Sequence, residues 1–178
     1  MMYIDVPDSE YFDARTSTFI TIRGQRLKLE HSLVSISKWE SKWKKPFLTK
    51  EDKTPEETRD YIRCMTITQN VDPNIYLGIP NEQVNKVLAY INDPMTATWF
   101  REDPMAKRER RPITSEVIYY YMAEAGIDFG CETWHLNRLM TLIRVCHEKS
   151  KSHGGGGKRG KMSSAERAAL NARRRTKR

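Results

Sequence analysis

The chain has 178 residues, with 31 Lys/Arg against 23 Asp/Glu and a net charge of +8. Residues 151–178 hold ten of the bases and one acid, Glu166, so this segment is +9 and residues 1–150 are left at −1. The basic balance belongs to a tail, which excludes a basic body of the kind that nucleic-acid-binding domains show. No apolar run approaches the roughly 18–20 residues of a membrane span.

The first residues, MMYIDVPDSEYFD, are acidic and lack the pattern of a signal peptide, so the expected setting is a cytosol. Cys64, Cys131 and Cys146 are too few for a disulfide framework and predict buried thiols in a reducing compartment. About 150 residues can bury roughly two-thirds of their unfolded surface in one core. The aromatic residues should fill much of that core.

In chain order, TFITIRGQRLKLE at 18–30 alternates on both sides of Gly24-Gln25. A two-residue Gly-X connection predicts a β-hairpin with a type II′ turn. Phe19 breaks the alternation, which predicts a first strand buried on both faces. Such a hairpin needs a surface to pack on. Ser32 then caps a helix carrying Leu33, Ile36, Trp39 and Trp43, ending before Pro46. Thr54-Pro55-Glu56-Glu57 combines a capping box with proline at the first helical position, and its helix runs through Tyr61, Ile62 and Met65.

A break at 70–74 follows. Asn81 is the expected cap of a helix with Val84, Val87, Leu88 and Ile91 on one face, closed by Asn92-Asp93-Pro94. Residues 101–112, REDPMAKRERRP, predict a mobile surface loop. Thr114 or Ser115 opens a helix that stops near Gly126, and its Tyr119-Tyr120-Tyr121 run must expose at least one ring. The last body helix begins around Thr133 and carries Leu136, Leu139, Met140 and Ile143.

From 151 the composition changes. Gly154 to Gly157 read as a flexible linker, and Ser163-Ser164-Ala165-Glu166 as a capping box before an Ala-rich basic segment too short to be a stable helix alone. The expected organisation is a body at 1–150 and a disordered basic tail at 151–178. The expected class is α+β, predominantly α-helical, with a hairpin at about 18–30 packed on a helical domain.

Catalytic signatures are weak. Cys131 with His135, and Cys146 with His147, lack the paired spacing of a zinc site. No third group marks a Cys–His nucleophile, and the glycines have no phosphate-loop context. No cofactor, metal or catalytic residue is expected. Trp39, Trp43, Trp99, Phe100 and Trp134 are candidates for a partner-binding face, with core packing the favoured alternative. Lys158, Arg159, Lys161, Arg173, Arg174 and Arg175 are candidate basic contacts.

Five blocks then stand out together: LEHSLVSISKWESKW at 29–43, RCMTITQN at 63–70, DPMTATWF at 93–100, ITSE at 113–116 and WHLNRL at 134–139. In this order, spread over residues 27–146, they resemble a family of small proteins encoded among the tail genes of long-tailed bacteriophages, most like the tail assembly chaperones. The resemblance implies a non-enzymatic helical protein that binds the tape-measure protein and keeps it soluble in the cytoplasm of the bacterial host. The tail tube protein would be a further partner. A minor virion protein of the connector or tail, and a nucleic-acid-binding accessory protein acting through the basic tail, are the competing expectations.

Overall fold

A computed structural model of the chain describes residues 1–14, 16–100 and 112–154, with the backbone alone at 151–154. The charged run at 101–111 and the tail from 155 lie outside the described residues, as do the six basic contacts expected there. The chain divides into two compact units, Met1–Ile143 and Arg144–Arg178. The fold is α+β and predominantly helical, with N-terminal strands packed on helices.

Four strands come first: β1 (Met2–Val6), β2 (Ser9–Asp13), β3 (Thr18–Ile22) and β4 (Gln25–Leu29). Both strands expected at 18–30 form, but they do not pair with each other. β4 pairs antiparallel with β1, Ile4 opposite Leu27, while β3 pairs with β2, Tyr11 opposite Ile20. Burial explains the choice. Ile4, Val6, Leu27 and Leu29 share the buried side of the β1–β4 ladder, whereas β3 buries only Ile22.

Phe19, expected to be buried, is 70% exposed and packs at a tilt against Phe12 across the β2–β3 ribbon. Gly24 is a close crossing rather than a type II′ turn. Its φ is not positive, its amide donates to Asp8 Oδ1 at 2.6 Å, and a Cβ there would lie 2.7 Å from Val6 O and Asp8 N.

Among the described residues, five α-helices follow. α1 (Leu33–Trp43) starts at a reciprocal box between Ser32 and Ser35 and ends at Lys44 in the left-handed region, just before Pro46. α2 (Pro55–Met65) has the expected box between Thr54 and Glu57. Beyond it, residues 66–67 run beside β4, with Ile67 N donating to Lys28 O and Glu30 N to Met65 O. A 3-10 turn at Pro73–Gly78 leads to α3 (Asn81–Asn92). Asn81 is not the cap: Pro80 holds that position without a side-chain bond.

α4 (Ser115–Glu124) stops at Gly126, whose φ of +66° favours glycine. Tyr120 is exposed, while Tyr119 and Tyr121 pack on the core. The helix expected from Thr133 starts later. A 3-10 turn occupies Phe129–Thr133, and α5 spans Leu136–Gly154. Within the first unit the core gathers Leu33, Ile36 and Trp39 of α1, Tyr61, Ile62 and Met65 of α2, Ile118 and Met122 of α4, and Leu136, Leu139 and Ile143 of α5.

Two buried acids tie these helices together. Glu40 Oε1 accepts from Phe47 N at 2.7 Å, while Oε2 accepts from Ser115 N at 2.8 Å and Ser115 Oγ at 2.6 Å. The carboxylate therefore caps α4 from α1, where the helix dipole favours a negative charge. Asp60 of α2 accepts from Lys42 and Trp43 of α1 and from Arg63.

Candidate functional site

The most apolar cavity described is a groove of about 320 Å³ between α2, α3 and the segment at 47–53. α3 supplies Val84, Val87, Leu88 and Ile91, which recur at one-turn spacing and form a single stripe. Only Val87 of the four is fully buried, so the stripe is wider than the surface it covers. Leu88 is 41% exposed, and Leu48 on the opposite lip is 39% exposed.

Aromatic packing forms the floor. Phe47 lies 4.0 Å from the Tyr61 ring, centroid to centroid, and meets Trp39 edge-on at 5.2 Å. The Tyr61 hydroxyl points away from the groove chemistry into a buried polar cluster, where it bonds His31 Nδ1 at 2.5 Å and Ser35 Oγ at 3.2 Å. Burial pushes the Tyr61 phenol well above its ordinary range. The ring is thus held fixed by its polar end and offers only its apolar body to the cavity.

His31 lies edge-on to His135 at 5.0 Å. Burial, reinforced by His135, lowers His31 to about 3, and burial also lowers His135. Neutral His135 has an assignable tautomer. Its Nε2–H donates to Tyr90 O at 3.0 Å, and its Nδ1 accepts from Asn137 N at 3.3 Å.

Lys53 is the one charged residue lining the groove. Its ammonium donates to Phe47 O at 2.9 Å and sits 4.2 Å above the Phe47 ring. Burial lowers its pKa, opposed by Glu57 and Asp52. The arrangement is an apolar trough with a single, partly desolvated cation on its lip. Its lining suits the binding of an apolar surface that carries a negative charge at one edge.

The aromatic candidates are dispersed. Trp39 is 1% exposed and donates from Nε1 to Glu57 O, so it is a core residue out of a partner's reach. Trp43 is half-buried, stacks on Trp39 at 6.0 Å and donates to Asp60. Trp134 is half-buried with Arg138 over its ring at 4.5 Å. Phe100 is half-buried, and Trp99 is 80% exposed. Among the described residues no ring contact joins Trp99 or Trp134 to the Trp39–Trp43 pair.

Sequence reading grouped the α3 stripe but did not mark it as a site, and it missed Leu48 and Lys53. The available signal was the run Pro46-Phe47-Leu48, two large apolar residues placed in a loop after a helix stop. Of the thiols, Cys64 is buried, while Cys131 and Cys146 are only half-buried, contrary to expectation. Among the described residues no group of His, Cys, Asp and Glu is arranged to hold a metal ion. No helix there is long and apolar enough to cross a membrane.

No family model, no curated protein and no solved structure matches the chain.

Proposed function

We propose that the protein is a bacteriophage tail assembly chaperone, a non-enzymatic partner that binds the tape-measure protein and keeps it soluble during tail morphogenesis. The observation that carries this reading is the open apolar groove with Lys53 on its lip. An amphipathic client helix would lay its apolar stripe between Leu48 and Leu88. An acidic residue flanking that stripe would pair with Lys53, which is why the occupant is read as a helix of mixed apolar and acidic character.

The volume is at the low end for ligand sites, so it receives side chains from one helical face rather than a whole helix. Its half-wet lips suit a hold that must later be released to polymerising tube subunits. The five sequence blocks support the same reading from the scaffold side. Four of them supply Trp39, Glu40, Met65, Ser115 and Leu136, all buried, which place α1, α2, α4 and α5. The basic segment from 151, covalently linked to the helical body, would add a weaker contact to the tube protein through effective concentration.

In this role the protein acts in the host cytoplasm during assembly. Co-expression with the tape-measure protein of the same virus tests it. The soluble fraction of the client should rise severalfold, and an unchanged fraction contradicts chaperoning. Stoichiometric presence in purified virions would instead favour a structural role in the connector or tail.

A further inference from the structure

α2 presents two working faces. Thr58, Tyr61 and Ile62 line the groove, whereas Glu56, Arg59, Asp60 and Arg63 line a second cavity of about 420 Å³, walled by Tyr11 of β2, Lys42 of α1 and Tyr76 of the 3-10 turn. Three cations and two carboxylates meet there. Asp60 is fully committed: Lys42 Nζ and Arg63 Nε donate to Oδ1 at 2.7 and 2.8 Å, and Trp43 Nε1 donates to Oδ2 at 2.8 Å. Lys42 and Arg63 therefore have a counter-charge.

Arg59 has none. Its Nε is buried without a hydrogen-bond partner, and among the described residues no ion pair joins it to Glu56, one turn earlier. A guanidinium N–H withdrawn from water without an acceptor is an unmet demand, and native structures rarely leave one.

We propose that this cavity receives a carboxylate from an acidic peptide segment of a partner protein, with Arg59 as its receptor. The guanidinium fork matches a carboxylate in two parallel hydrogen bonds. The lining residues sum to one uncompensated positive charge, which a monoanion neutralises. A phosphate dianion would bring a second negative charge toward exposed Glu56. Tyr11 and Tyr76 give the carboxylate's aliphatic stem aromatic walls to pack on. The site lies on the opposite side of α2 from the groove, so it stands whether or not a tape-measure helix occupies the latter.

The test uses full-length protein labelled with ¹⁵N-arginine and titrated with N-acetyl-glutamic acid α-amide, whose side chain is its one carboxylate. The Nε–H resonance of Arg59, identified by its loss in Arg59→Gln, should shift saturably at millimolar ligand. Read at the Tyr76 amide of uniformly ¹⁵N-labelled protein, Arg59→Gln should weaken binding at least about tenfold. Glu56→Gln, an exposed change that leaves the fold intact, should tighten it about two- to threefold by removing a like charge. No saturable shift at Arg59, an unchanged affinity in Glu56→Gln, or tighter binding of inorganic phosphate than of the carboxylate would overturn the proposal.

Discussion

Glu40 shows how one side chain can join distant parts of the chain. Its two oxygens satisfy the Phe47 amide, the Ser115 amide and the Ser115 hydroxyl, all in buried surroundings. Removing the carboxylate orphans three donors, and each buried orphan costs about 1–3 kcal/mol. Glu40→Ala should therefore destabilise the protein by roughly 3 kcal/mol or more in urea unfolding, and Glu40→Gln by about half as much, since its amide oxygen replaces only one acceptor. His31 makes a pH prediction at the same scale. Its folded pKa, about 3, lies below the usual value of 6.5. Above pH 6.5 it is neutral folded or unfolded and contributes no slope. Between 6.5 and 3 only the unfolded chain takes up the proton, so stability falls as pH falls, by up to about 1.4 kcal/mol per pH unit. Urea midpoints measured at pH 7 and pH 5 should show this loss, and His31→Gln should flatten it while lowering stability at pH 7. An unchanged slope in that variant would assign the acid sensitivity to other groups.

At the scale of elements, the helices were largely legible and the strand pairing was not. α1 and α2 carry their caps and apolar spacing within a dozen residues, so local sequence specified the start of each and, through Pro46, the end of α1. β3 and β4 were legible as strands by their alternation. Their partners were not, because pairing is decided by how much apolar surface each choice buries. The acidic N-terminal residues hid Ile4 and Val6, which cover Leu27 and Leu29 better than β3 could. Gly24 looked like a turn residue for the same local reason, yet it serves a contact with residues 6–8, far back in the chain. Gly24→Ala should accordingly destabilise by about 1–3 kcal/mol, the range for forcing atoms into a packed site. Amide exchange should quicken along β1 and β4 while α2 keeps its protection. Quickening confined to residues 23–25 would indicate an ordinary turn instead.

At the scale of the molecule, four of the five sequence blocks that carry the resemblance supply buried scaffold residues, while the block at 93–100 supplies none. Trp39, Glu40, Ser115 and His135 are buried, so they hold the walls of the groove in place without lining its mouth. That is why the candidate site was harder to read than the fold: its lips are Leu48 and Leu88, common residues at half-exposed positions, brought together from separate elements. Periodicity marks an apolar stripe, but it does not say how much of the stripe a neighbour covers. Under the proposed function, this uncovered part holds the client. The double variant Leu48→Glu/Leu88→Glu alters only partly exposed side chains and should shift thermal unfolding little. Soluble yield of co-expressed tape-measure protein, compared between wild type and this variant, is the most direct measurement. Wild type should raise the yield severalfold, and the variant, still folded, should return it to the level of the client alone. Equal yields with wild type and the folded variant would contradict this role of the groove.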